Sequence, residues 1–155
     1  MKGAFVPVSA SSSPLVPENL IAGAWLPGSG EAVQSLNPAK PDDIVASFKG
    51  ATESDIKHAL EAATGAQRAW NDMGIIKRGQ ILRAVADLID QRREAIAALM
   101  TREQGKTLAE ARGEVDGSSE TIRYHAASSR NPLAKTYPSS FPGEHIEVVR
   151  EALGV

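Results

Sequence analysis

Several residues of this chain have the types and spacing to do chemistry. Gly105-Lys106-Thr107 has the ending of a phosphate-binding loop. That loop needs a glycine five residues before Gly105, and Met100 stands there, so the nucleotide-loop reading fails. Glu110 and Glu114 are spaced i and i+4 on a predicted helix, so both carboxylates can point the same way, as a paired acid and base would. Lys106 lies four residues before Glu110, and the ordinary outcome for such charges is a solvated face. A hard-cation role for Glu114 needs further oxygen ligands from elsewhere in the chain.

The remaining nucleophiles and bases give weaker signals. His58 sits between Lys57 and Glu61 and reads as a surface residue, His125 follows Tyr124 and reads as a packing residue, and His145 stands beside Glu144 on a predicted strand. None of the three has metal-ligand spacing. The serines fall in loops and on helix surfaces without a Gly-x-Ser-x-Gly elbow, which argues against a serine nucleophile. The sequence contains no cysteine, which excludes disulfides, zinc-thiolate sites and a cysteine nucleophile within these 155 residues.

The length suggests one domain. A formal charge of −2 offers no attraction for nucleic acid or anionic lipid, and 5% aromatic residues leave few platforms for stacking bases, so neither partner is expected. No apolar run approaches the roughly 18 residues of a membrane span. The segment 1–18 reads as a flexible Pro/Ser-rich leader: Pro7 interrupts its apolar stretch, and it lacks the arginines of a transit peptide. A cytoplasmic protein is the expectation.

The elements that must position these residues follow from periodicity. Leu20–Trp25 reads as a strand, Pro27–Gly30 as a turn and Ala32–Leu36 as the returning strand of a hairpin. Asn37-Pro38 ends that strand because proline cannot donate to a sheet ladder, and Ile44–Lys49 is a third extended segment. Three amphipathic helices follow. The first starts at a cap among Thr52–Ser54 and buries Ile56, Leu60 and Trp70. The second runs unbroken from about Lys77 to Gln104, with Arg92, Arg93 and Glu94 in solvent. Gly105 closes it in the left-handed conformation. Thr107 and Glu110 have capping-box spacing and open the third helix, which stops near Asn131-Pro132. Gly113 and Gly117 inside it each cost about 1 kcal/mol relative to alanine, and close helix packing would explain them. Tyr137–Gly143 is a loop and His145–Arg150 a strand.

In order, Gly23-Ala24-Trp25, Asn37-Pro38-Ala39, Ala69-Trp70, Arg83–Ile89, Glu103-Gln104-Gly105-Lys106, Glu110-Ala111 with Glu114, and Arg150–Val155 resemble the N-terminal portion of the aldehyde dehydrogenase superfamily. Glu-Gln-Gly-Lys, Pro-Ser-Ser-Phe-Pro-Gly-Glu and Arg-Glu-x-Leu-Gly-Val look most like semialdehyde dehydrogenases of the 2-oxoglutarate semialdehyde type. Thr107 and Ala152 depart from the family, where proline is common at both places.

The resemblance implies an α/β parent with a Rossmann-like cofactor domain, of which this piece is mostly α-helical with β-hairpin strands at its N- and C-terminal ends. Residues 19–135 would be the N-terminal part of the cofactor-binding domain, and 136–155 the start of an oligomerisation hairpin, making the parent a homo-oligomer. The parent would oxidise an aldehyde with NAD or NADP: a cysteine thiolate attacks the aldehyde, hydride passes to the cofactor, and water hydrolyses the thioester. The nucleophilic cysteine, the general-base glutamate and the cofactor-binding glycine turn have no counterparts here. No catalytic or cofactor-binding residue is therefore assigned, and the chain is expected to be an inactive fragment that binds no cofactor alone. The alternative is a non-catalytic helical module that docks on a full-length relative. Some members hold a monovalent cation through backbone oxygens before Asn-Pro and an acidic side chain on the third helix, which implies Ser35, Leu36 and Glu114.

Overall fold

The computed structural model describes residues 14–131 and 134–155; Met1–Ser13, most of the expected leader, and Pro132 and Leu133 lie outside the described residues. Strands β1 (Asn19–Ile21) and β2 (Ala24–Leu26) pair antiparallel through a tight turn at Ala22-Gly23. Both turn residues have positive φ, 51° and 82°, the geometry whose twist matches a hairpin. This corrects the sequence reading: the single strand expected over Leu20–Trp25 is itself a hairpin.

Strand β3 (Ala32–Asn37) turns back over Pro38-Ala39 and pairs with β4 (Lys40–Lys49) instead of with β2. Asn37 Oδ1 accepts from the Ala39 N–H at 3.0 Å, which fixes the turn. Pairing jumps from Leu36↔Ile44 to Asn37↔Lys40, so Pro41, Asp42 and Asp43 bulge out of the ladder. Proline, with no N–H to give, accounts for a break at this place. On its other side β4 accepts Leu15, whose N–H donates to Val45 O and whose carbonyl accepts from Ser47 N–H, so the end of the predicted leader is tied to the sheet.

Helix α1 (Glu53–Asp72) starts at Thr52 in a complete capping box with Asp55. Its apolar stripe is not covered by the described residues: Ile56 is 55% and Leu60 53% exposed. The long second helix of the sequence reading is two helices, α2 (Ile75–Gln91) and α3 (Arg93–Gln104), joined at Arg92, where the backbone leaves the helical region at φ −107°, ψ 10°. Neither glycine nor proline marks the break. The cause is tertiary: α4 (Leu108–Ala127) runs back along both, with α3 packed on its first half and α2 on its second. Arg93, expected in solvent, donates from Nη2 to Asp116 Oδ2 of α4 at 2.7 Å and from Nη1 to Glu94 at 2.7 Å. Farther along, Arg123 of α4 reaches Asp87 and Asp90 of α2 at 2.8 and 2.6 Å.

Small residues make the helix contacts. Ala97, Ala111 and Val115 are buried together under Ile89, Ile96 and Met100, and Ala86, Ser119 and Ala126 are also buried. Gly79 is the tightest point: a Cβ there would stand 2.5 Å from Ser129 Oγ and 2.8 Å from the Ala126 carbonyl oxygen. Among the described residues Gly113 and Gly117 do not serve close packing, since a Cβ on either meets nothing within 4 Å. A short 3-10 turn at Ser128–Arg130 ends the helical layer. Strands β5 (Ala134–Pro138) and β6 (His145–Val149) then form a separate antiparallel ribbon, and β5 takes the first two residues of the expected Tyr137–Gly143 loop. Among the described residues no helix is long and apolar enough to cross a membrane.

Gly79→Ala is expected to destabilise the chain by about 1–3 kcal/mol through overpacking, whereas Gly113→Ala should stabilise it by about 1 kcal/mol through helix propensity. Denaturant midpoints of the two variants check this pair; equal effects would contradict the packing described.

Candidate functional site

The polar groups singled out in the sequence converge where α3 ends and α4 begins. Gly105 closes α3 at φ 75°, its N–H donating to Thr101 O at 2.9 Å. A Cβ on Gly105 would lie 2.8 Å from Pro38 Cγ, so glycine is required there both by its backbone and by the β3–β4 turn that rests on it. Two residues on, Thr107 begins α4 in the capping box that its spacing with Glu110 predicted: the Thr107 N–H and hydroxyl donate to Glu110 Oε2 at 2.9 and 2.8 Å.

Arg102, on the last turn of α3, fixes the β3–β4 hairpin to this junction. Its Nε donates to Asp43 Oδ2 at 2.8 Å, its Nη2 to Asp43 Oδ1, and the same Nη2 to the Ile44 carbonyl at 3.0 Å. Asn37 Nδ2 donates to Asp43 Oδ2 at 3.1 Å, so one bulged carboxylate joins the turn residue to the helix. Both ion-paired side chains are about three-quarters covered, 26% exposed for Arg102 and 25% for Asp43. The Arg102 hydrogen bonds first, then that from Asn37, hold the Asp43 carboxyl well below the usual carboxylate range. Asp43 reciprocally raises Arg102.

A second carboxylate knot stands at the start of α1. Asp55 Oδ2 accepts from the Ser29 hydroxyl and N–H at 2.7 and 3.0 Å and from the Thr52 N–H and hydroxyl at 2.8 and 3.0 Å. The Ser29 hydroxyl bond is the largest cause holding its carboxyl far below the ordinary value. Sequence reading singled out none of Asp55, Asp43 and Arg102 as functional groups, and no local spacing links Asp43 to Arg102.

The acid/base pairing that the spacing of Glu110 and Glu114 allows does not form. Glu110 is spent in the cap, its carboxyl lowered first by the Thr107 hydroxyl. Glu114, 53% exposed, takes Lys106 Nζ at 2.5 Å. Lys106 therefore pairs with Glu114, not with Glu110 as i, i+4 spacing suggested. Ser35 lies half-buried opposite Ala46 and Leu36 is 47% exposed opposite Ile44, on either side of a register shift, and the helix packed against β3 is α3. His58, His125 and His145 are all exposed, His125 meeting Tyr124 edge-on at 5.4 Å. Among the described residues no three of His, Cys, Asp and Glu are grouped to hold a metal ion. The arrangement is a docking joint in which the Asp43, Glu110 and Glu114 carboxylates each carry a protein partner.

Known proteins resemble this chain in sequence and fold. The sequence model of the aldehyde dehydrogenase family matches residues 25–155. The chain is 38% identical over 138 residues to an alpha-ketoglutaric semialdehyde dehydrogenase of Bacillus subtilis (strain 168), covering 88% of this chain and 28% of that protein. To a succinate-semialdehyde dehydrogenase (NADP(+)) of Escherichia coli (strain K12) it is 35% identical over 138 residues, with coverage of 88% and 28%. Among solved structures, an NAD-dependent aldehyde dehydrogenase from Sinorhizobium meliloti superposes with a TM-score of 0.81 at 26% identity, over 86% of this chain and 27% of that one. The chain thus spans little more than a quarter of the length of these relatives.

Because the folded-state values of Asp43 and Asp55 are lowered, each contributes stability that is complete above the unfolded carboxylate value, about 3.9, and is lost as pH falls through that value toward the folded one. Stability measured by denaturant between about pH 5 and pH 2 should fall with acid, and Asp43→Asn and Asp55→Asn should each flatten that slope. An unchanged slope in both variants would refute the assignment.

Proposed function

The chain belongs to the aldehyde dehydrogenase family, and from that membership we propose that the protein to which these 155 residues contribute oxidises a small semialdehyde to its carboxylic acid with NAD or NADP. The observation that carries this reading is the match over residues 25–155, which includes α1 to α4 and the Gly105 junction on which the β3–β4 turn packs. The 2-oxoglutarate-semialdehyde type is favoured by the Bacillus subtilis relative, whose name states that substrate. Both cofactors are kept because one relative's name carries NADP and one solved neighbour's carries NAD.

Within that activity, the cofactor accepts the hydride removed from the aldehyde carbon. The residues described here do something else. Arg102 and Asp43 hold the hairpin on the helical layer, the Thr107–Glu110 box sets the start of α4, and Gly79 lets α2 approach the end of α4 closely enough to form one rigid slab. The covalent step needs a thiolate nucleophile, and these 155 residues contain no cysteine. No residue of this chain is assigned to bond-making.

Two preparations test the proposal. A family-length protein containing this sequence should produce NAD(P)H when given 2-oxoglutarate semialdehyde, and the 155-residue chain alone should produce none. Robust cysteine-independent oxidation by the isolated chain, or no aldehyde oxidation by the longer protein across small semialdehydes, would overturn it.

A further inference from the structure

Most arginines of this chain are spent on its own acids and amides. Arg68, Arg78, Arg93, Arg102, Arg112 and Arg123 each meet a carboxylate or a side-chain amide oxygen. Arg83 of α2 and Arg130 of the 3-10 turn do not: neither has a hydrogen-bonding or ionic partner among the described residues. Asp87, the acid that i, i+4 spacing on α2 offers Arg83, is held by Arg123 at 2.8 Å instead. The two unpaired guanidinium groups line one groove of about 330 Å³ where α2 meets the end of α4, together with Gly79, Gln80 and Ser129. No carboxylate lines that groove. The Ser129 hydroxyl lies close over Gly79, where a Cβ would stand 2.5 Å from Oγ, and neither it nor the Gln80 amide has a partner among the described residues.

Two like charges facing one groove repel each other, and no group of opposite sign in its lining offsets them. A guanidinium presents its N–H groups as a planar fork that matches the paired oxygens of a carboxylate or a phosphoryl group. The Ser129 hydroxyl and the Gln80 amide add neutral donors to the same lining. The volume stands at the lower end of the roughly 300–1,000 Å³ of small-molecule sites, which suits a compact ligand. We propose that this groove binds a small dianionic oxyanion, a phosphoryl group or a dicarboxylate, held between Arg83 and Arg130. Both arginines are exposed, so binding weakens as salt screens them. The site is independent of what the longer protein oxidises.

The test is a titration with inorganic phosphate, succinate and chloride at matched ionic strength. It is read in the 155-residue chain by the NMR signals of the Arg83 and Arg130 Nε–H groups and the Ser129 amide, and by calorimetry in both that chain and the family-length protein. Phosphate, succinate or both should shift the three signals saturably and release or absorb heat in both proteins, while chloride should not. Which anion responds tells phosphoryl from dicarboxylate chemistry. Arg83→Gln and Arg130→Gln should each abolish the saturable shifts of the remaining signals and keep the native denaturant midpoint in chloride, because neither arginine has a partner to lose. Arg68→Gln, which removes an exposed charge on α1, should leave binding unchanged. Linear shifts equal in the three salts, or saturable shifts that survive both groove substitutions, would overturn the proposal. So would binding by the 155-residue chain that the family-length protein lacks, since that protein's own residues would then fill the groove. No readout involves catalysis, so failure here leaves the dehydrogenase reading intact, and absence of dehydrogenase activity leaves this site untouched.

Discussion

The bidentate contact between Arg102 and Asp43 is the constraint on which the arrangement of this chain depends. It joins residues 59 positions apart, and through Asn37 it also fixes the turn that lies on Gly105. An exposed pair of this kind is worth little, and a fully buried one carries a large desolvation cost. This pair is intermediate, about three-quarters covered and supplied with an extra carbonyl acceptor and an amide donor, so most of the hydrogen-bonding capacity it loses to burial is replaced. Without it, the β3–β4 hairpin would rest on α3 by the Pro38–Gly105 contact and little else among the described polar groups.

Behind that joint the helical layer uses close approach in place of bulky side chains. Ala86, Ala97, Ala111, Ala126 and Gly79 give α2 and α3 short distances to α4, and the ion pairs of Arg93 and Arg123 border the seam. The larger side chains are elsewhere. Ile56 and Leu60 on α1 and Ile81, Val85 and Leu88 on α2 are each two-fifths exposed or more, so those two helices present apolar surface beyond what the described residues cover. A slab stabilised on one side and apolar on the other matches a chain that spans little more than a quarter of its relatives' length.

Local chemistry was legible in the sequence, and long-range geometry was not. The Thr107–Glu110 box, the left-handed Gly105 and the Thr52 cap depend on residues within a few positions of one another, so spacing alone located them. The hairpin pairing was misassigned because Ala22 adopts a positive φ that alanine seldom takes, hiding the turn inside an apolar run. The break at Arg92 left no mark because its cause is the path of α4. Arg102 with Asp43 was invisible because nothing in either neighbourhood encodes a partner so distant in sequence. Gly113 and Gly117 looked like packing glycines and meet none of the described residues, whereas Gly79, which helical periodicity did not single out, makes the closest contact of the helical glycines. Family motifs identified the chain, and three of the residues they contain are engaged within the fold, Gly105 against Pro38, Glu110 with Thr107 and Lys106 with Glu114.

The most direct measurement is a double-mutant cycle on Asp43→Asn and Arg102→Met, read as denaturant midpoints together with hydrogen exchange of the Gly105 amide. If the pair is the joint described, the two losses are strongly non-additive, the second substitution adding little once the first is made, and either single variant speeds exchange at Gly105. Additive losses with unchanged exchange at Gly105 would contradict the account.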